Sequence, residues 1–303
     1  MGGKRTVMKN RKLMSRLLSV LAAMTLIIGA VSVTALAEDF APYLSSGKMT
    51  IKVGQVAAVQ VNNLPAGATV KFKSSNKKVL KVSKNGSLTP RKPGKAVVKA
   101  TVKYNGQKKV LKCKVKVNKA IIAVIDGGAA KNQKVWKALS TSGATPRGPK
   151  NGHARRMIDH MKKEAPKAKI LSIRVTDPSD SSIYNSAVED ALRLAIQYKA
   201  SVVYYSFYSS EPTDDEYQLV SQLIAMGTRV VGPAGNNYGK DASKLQWLTN
   251  MNGATCVGAW GKGKILAKSN INANVYVKAG STSAAAARYA GMLANGKTYG
   301  VHK

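Results

Sequence analysis

Ile121-Ile122-Ala123-Val124-Ile125-Asp126-Gly127-Gly128 is an unbroken apolar run that ends in an aspartate and two glycines. A run this short and rich in β-branched residues reads as a strand buried on both faces, the kind found inside a parallel sheet. Ile170 to Val175, Val202 to Tyr205 and Thr228 to Val231 repeat the pattern further along. Helical patterns separate them. Ile183 to Tyr198 places Ala187, Val188, Ala191, Leu192, Ala195 and Ile196 on one helix face, and Tyr217 to Met226 predicts another helix, ended by Gly227. This alternation predicts an α/β fold, a doubly wound parallel sheet with its functional site at the carboxyl ends of the strands. Asp126 and Asn236 each follow such a strand.

Ahead of Ala120 the texture is different. Leu111, Cys113, Val115 and Val117 alternate strictly with Lys112, Lys114 and Lys116, and Val98, Ala100 and Val102 share one side of the preceding run. Asn105-Gly106 stands between those two runs, and Asn85-Gly86 follows Val79-Leu80-Lys81-Val82. Asn-Gly favours hairpins because both central residues of the tight turn need positive φ. Short strands punctuated by turns predict an N-terminal all-β sandwich over residues 38–119. Residues 120–303 then form the α/β domain.

The first 37 residues read as a secretory signal. Lys4, Arg5, Lys9, Arg11, Lys12 and Arg16 give a positive start, Leu17 to Val33 is apolar, and Ala35-Leu36-Ala37 is a small-x-small cleavage site. The mature protein is therefore expected to be secreted, extracellular or associated with the cell wall, with no transmembrane span after cleavage. Its two cysteines, Cys113 and Cys256, fall in separate strand patterns and are expected to be buried free thiols rather than a disulfide or metal ligands.

Formal net charge is +35, and no Asp or Glu occurs between Phe40 and Lys119. Such a field attracts polyanions. For an exported chain an anionic cell-wall polymer or glycan is the expected partner of the basic N-terminal module, rather than nucleic acid. The same lysines serve equally as a solvated face that keeps the module soluble.

Chemistry concentrates in four segments of the α/β region. Asp126 closes the first strand, His153 follows Asn151-Gly152, Asn236 lies in Gly232-Pro233-Ala234-Gly235-Asn236, and Ser281-Thr282-Ser283 opens an Ala-rich helix. A hydroxyl nucleophile needs a base near neutral pH, and imidazole supplies it. Of the three histidines, His302 is near the end of the chain and His160 lies within the helix that His153 begins. Asp, then His, then Ser is one of the chain orders in which the charge-relay triad recurs. Read one at a time, the aspartate is also a turn former, the asparagine a turn residue and the serine a helix cap. Spacing does not choose among the three hydroxyls.

Two resemblances follow from these segments. Phe72-Lys73-Ser74-Ser75-Asn76-Lys77-Lys78-Val79, Val82-Ser83-Lys84-Asn85-Gly86 and Pro93-Gly94-Lys95-Ala96 resemble the bacterial group 2 immunoglobulin-like domains, which implies a spacer or adhesion module. Val124 to Gly128, Asn151-Gly152-His153, Ala234-Gly235-Asn236, Val257-Gly258-Ala259 and Thr282-Ser283-x-Ala resemble the subtilisin-like serine proteases, or subtilases. That resemblance implies a secreted serine endopeptidase with Ser283 as nucleophile, His153 as base, Asp126 as its orienter and Asn236 as oxyanion donor. It implies a substrate-pairing strand at Ser206, Phe207 and Tyr208, and a peptide or protein substrate, with no metal or cofactor in the reaction. The chain departs from the family at Ala154-Arg155, at Ser281, at Ala287, and at Tyr208, where the family has glycine. These departures carry the alternative, a catalytically degenerate subtilase-like protein that binds at the surface or cell wall.

Overall fold

The computed structural model describes residues 40–180, 182–207 and 209–297, with the backbone of 301–302. The expected signal segment lies outside the described residues. Alternation in the N-terminal region becomes nine strands: β1 (Tyr43–Leu44), β2 (Lys48–Lys52), β3 (Ala57–Ala58), β4 (Val61–Asn62), β5 (Thr69–Ser74), β6 (Leu80–Val82), β7 (Ser87–Pro90), β8 (Gly94–Tyr104) and β9 (Gln107–Asn118). They form a sandwich of a four-stranded sheet, β2-β9-β8-β5, and a three-stranded sheet, β3-β7-β6, with β1 paired to β4. Val59, Leu80, Leu88, Val98, Cys113 and Val115 fill its core.

Asn105 and Gly106 join β8 to β9 with φ of 44° and 76°, the tight turn that the dipeptide predicts. Asn85-Gly86 behaves differently, because only Gly86 takes positive φ. Ser83 Oγ accepts from the Ser87 N–H at 3.0 Å and bonds Asn85 Oδ1, so these side chains support a wider loop between β6 and β7.

From Ile121 the apolar runs become parallel strands. They are β10 (Ile121–Asp126), β11 (Lys137–Ser140), β12 (Lys169–Arg174), β13 (Val202–Tyr205), β14 (Arg229–Pro233), β15 (Ala254–Gly261) and, after the two-residue β16 (Lys264–Ile265), β17 (Val275–Lys278). Their order is β11-β12-β10-β13-β14-β15-β17. Two short antiparallel additions, β16 against β15 and β18 (Val301–His302) against β17, make that edge mixed rather than purely parallel. All six residues of β10 are buried, as a central strand requires.

Among the described residues this region has five α-helices, α1 (His153–Glu164), α2 (Asn185–Gln197), α3 (Asp214–Ala225), α4 (Ala242–Leu245) and α5 (Thr282–Ala294), and a single 3-10 turn at Trp247–Thr249. Alternate residues of β10 point to opposite faces of the sheet. Ile122 and Val124 share a cluster with Met157, Ile158 and Met161 of α1 and the alanines of α5, while Ala123 and Ile125 pack with α2 and α3. The sheet is thus wound on both sides. Helix α3 begins three residues before its apolar pattern does. Thr213 caps it by accepting from the Glu216 N–H at 3.1 Å, and Asp214, Asp215 and Glu216 face the positive helix end.

Only Lys119 and Ala120 separate β9 from β10, and one buried cluster runs from Val115 and Val117 through Ala120 and Val202 to Leu293. Gly227 and Gly296 follow α3 and α5 with φ of 80° and 67°. Each ends its helix and also lets the sandwich approach. A Cβ on Gly296 would lie 2.8 Å from Arg91 Cα, and one on Gly227 would lie 2.2 Å from the Val56 carbonyl oxygen. The Val56 N–H donates to Gly227 O at 2.8 Å. Both cysteines are buried and free.

Candidate active site

Chain order reverses at β10. β12 and β11 lie to one side of it and β13 to the other, and the carboxyl ends of β10 and β13 at such a reversal are where α/β sheets form a crevice. Asp126 is the last residue of β10 and only 4% exposed. Its two carboxylate oxygens have separate partners. Oδ1 accepts from the Gly127 N–H at 2.6 Å, and Oδ2 lies 2.8 Å from His153 Nδ1. The carboxylate accepts from Nδ1–H, which fixes the tautomer and leaves Nε2 able to accept a proton. His153 opens α1 directly after Gly152, and its side chain is 39% exposed. The aspartate is thus buried behind an imidazole that reaches the crevice.

Helix α5 brings the three hydroxyls to the same place and gives each a different environment. Ser281 is the N-cap, its Oγ accepting from the Ala284 N–H at 3.3 Å. Thr282 is fully buried, and its hydroxyl has no partner among the described residues. Ser283 is half-buried in the first turn, where the helix dipole and unsatisfied N–H groups favour negative charge.

Asn236 is exposed in the loop after β14, and its Oδ1 accepts from the Thr282 N–H at 3.1 Å. A backbone N–H can only donate, so the atom facing it must be the oxygen, and Nδ2 is turned the other way. Tyr204 on β13 connects the remaining parts. Its buried hydroxyl donates to Ser283 O at 3.3 Å, and burial, reinforced by the Asp126 charge, holds the phenol well above its ordinary range. Asp126 and the Ser283 backbone therefore flank one phenol. Among the described residues no hydrogen bond joins His153 to Ser283.

Ser206 and Phe207 follow β13, Ser206 level with Asp126 at the end of β10 and Phe207 one residue beyond it, and Tyr208 lies outside the described residues. The Ser206 N–H makes the last bond to β10, donating to Ile125 O at 3.3 Å. Two buried amides that carry no sequence pattern hold this rim. Gln246 donates from Nε2 to Phe207 O at 3.2 Å and to Pro233 O at 3.3 Å, which joins the ends of β13 and β14. Asn270 donates to Ala234 O at 2.8 Å and accepts from the Asn237 N–H at 2.9 Å, bracketing Asn236. Each lies between regular elements, and no periodicity or motif marks it.

Residues 43–113 match the bacterial Ig-like domain (group 2) family. No curated protein matches the chain in sequence. Among solved structures, a cold adapted subtilisin-like serine proteinase superposes with a TM-score of 0.50 at 19% identity, covering 58% of this chain and 74% of its own. A lanthipeptide protease gives a TM-score of 0.50 at 16% identity, covering 58% and 72%. At these identities the likeness is one of fold: a subtilisin-like α/β fold preceded by an immunoglobulin-like sandwich.

Proposed function

We propose that the α/β region is a serine endopeptidase acting on exported protein or peptide. The observation that carries this reading is the 2.8 Å bond between buried Asp126 and His153 at the strand ends. Ser283 Oγ attacks the scissile carbonyl carbon as its proton passes to His153 Nε2, and Asp126 stabilises the resulting imidazolium. Asn236 Nδ2 and the Ser283 N–H receive the oxyanion, since the Thr282 and Ala284 N–H groups already donate to Asn236 Oδ1 and Ser281 Oγ. Collapse of the tetrahedral intermediate breaks the C–N bond, and His153 returns the proton to the leaving amine. Water then attacks the acyl group by the same route and frees Ser283.

Backbone geometry favours a peptide substrate. β10 stops at Asp126, so the edge of the chain beyond Ser206 loses its neighbour there, and an extended peptide pairs naturally with such an edge. Gln246 occupies the carbonyl of Phe207 on the other side. Export follows from the N-terminal signal read in the sequence.

Treating the secreted protein with a fluorophosphonate and mapping the adduct tests the reading. Labelling at Ser283 is expected, lost in Ser283→Ala with the thermal midpoint nearly unchanged. An adduct at Ser281 would overturn the nucleophile assignment. A folded protein that takes no label would instead be the degenerate surface or cell-wall binder.

A further inference from the structure

Where the sandwich meets the α/β region there is a cleft of about 750 Å³. Its walls carry six cationic side chains, Lys78, Arg91, Lys92, Lys119, Lys167 and Lys297, and no aspartate or glutamate. They come from five separate segments. Lys78 lies between β5 and β6, Arg91 and Lys92 between β7 and β8, Lys119 between β9 and β10, Lys167 between α1 and β12, and Lys297 beyond α5. No ion pair among the described residues involves Lys78, Arg91, Lys92, Lys119 or Lys167. Glu164, the nearest acid in sequence to Lys167, is held by Arg288 at 2.7 Å.

The cleft is also braced. The N–H groups of Arg91 and Lys92 both donate to Val79 O, at 2.8 and 3.3 Å, and Gly296 packs on the Arg91 backbone. Pro93 and Pro166 fix φ in two of the wall segments. Helices α1 and α5 end here, and each helix end contributes about half a negative charge. Two such ends offset about one of the six cations. Even with Lys297 set aside, most of the charge of the other five cations therefore has no ion-pair counterpart among the described residues.

We propose that this cleft is a binding site for an anion carrying several phosphate groups, separate from the crevice at Asp126. Its volume suits a ligand well beyond a single phosphate. The guanidinium of Arg91 suits bidentate phosphate contact, and the lysines act as point charges around it. Because the ligand would touch both regions, its binding stabilises their junction and raises the thermal midpoint.

Titration of the full mature chain with inorganic tripolyphosphate tests this by calorimetry, with thermal shift alongside. One saturable site is expected. The triple exchange Arg91→Gln, Lys119→Gln, Lys167→Gln should weaken it about tenfold or more, since each charged contact is a strong one. Exchanging Lys112, Lys114 and Lys116 for Gln removes the same charge from an exposed sheet face and should leave the affinity within about twofold, because screening limits distant charges. Equal loss in the two triple variants, or no stoichiometric site, overturns the proposal. If the first triple does not fold, Lys167→Gln alone, at an exposed loop position, serves with the same direction of effect. Long-chain polyphosphate that displaces tripolyphosphate identifies the end of a polymer as a source of the ligand. Failure to displace it identifies a small free oligophosphate, and either result keeps the site. Protease labelling at Ser283 is independent of all these outcomes.

Discussion

Residues 43–118 set lysine opposite lysine across neighbouring strands, whereas from Asp126 onward the paired cations are met by carboxylates. In the four-stranded sheet Lys73 pairs in register with Lys99, and Lys99 with Lys112. Lys95 stands opposite Lys116, Lys103 opposite Lys108 and Lys48 opposite Lys114. Like charges so placed destabilise a sheet. Every ion pair among the described residues lies instead between Asp126 and Arg288. One of them, Glu164 with Arg288, ties α1 to α5, the helices that begin near His153 and Ser283. Charge in the α/β region ties elements together around the candidate site. In the sandwich the apolar core holds the fold while the charge works against it.

The strongest way to break this contrast is to remove the one charge with the most specific task. Asp126→Asn should lower kcat by about 10⁴-fold, because an amide can donate to Nδ1 and favour the wrong imidazole tautomer. Steady-state peptide hydrolysis, with circular dichroism as a folding control, measures it. A loss of less than about tenfold would remove Asp126 from the mechanism proposed above, since general acid–base help alone contributes about 10²–10⁴.

A smaller effect sharpens the comparison from the acidic side. Glu216 is 5% exposed, accepts from Tyr205 Oη–H, and burial pushes its pKa from 4.5 up to about 7, with the Glu189 charge adding to it. Between those values the folded protein holds a proton that the unfolded chain has released. Its contribution to stability is therefore complete below pH 4.5 and is lost as pH rises through about 7. The change is roughly 3 to 4 kcal/mol at most, from about 1.4 kcal/mol per unit. Glu216→Gln should flatten that part of the stability profile in urea melts between pH 4.5 and 8. An unchanged slope would assign the pH dependence to other groups.

Legibility in the sequence follows the same division between local and distant causes. The apolar run of β10, the Asn105-Gly106 turn and the alternation of β9 depend on neighbouring residues, and each was readable. The pairing of Asp126 with His153 is legible only through the order of motifs in the family the segments resemble, because the two residues lie 27 apart in the chain. That Ser281 rather than Ser283 caps α5 required the observed helix start, since capping depends on one residue of offset. Gln246, Asn270, and the Tyr204 contact with Ser283 were out of reach. Each is a side chain bonding a distant backbone group, and such bonds leave no period in the sequence. Glu164 with Arg288 spans 124 positions and is invisible for the same reason.

The smallest expected effect bears on the sandwich itself. Lys112, Lys114 and Lys116 are exposed on β9 and face Lys99, Lys48 and Lys95 in register. If their charge has no structural task, replacing all three with Gln should leave the protein as stable or slightly more so. Each relieved pair is worth roughly 0.2–1 kcal/mol at low salt. The gain should fade in 1 M salt, where screening acts within about 3 Å. Retention on an anionic polymer such as isolated cell wall should move the opposite way. It should fall in the variant, and in the parent protein as salt rises, because counterions compete for the same lysines. Melting curves and a salt series on the two proteins measure both trends. A variant that melts lower would mean that the lysine stems pack usefully against the sheet, and the sandwich would then resemble the α/β region in giving its charged side chains a structural part.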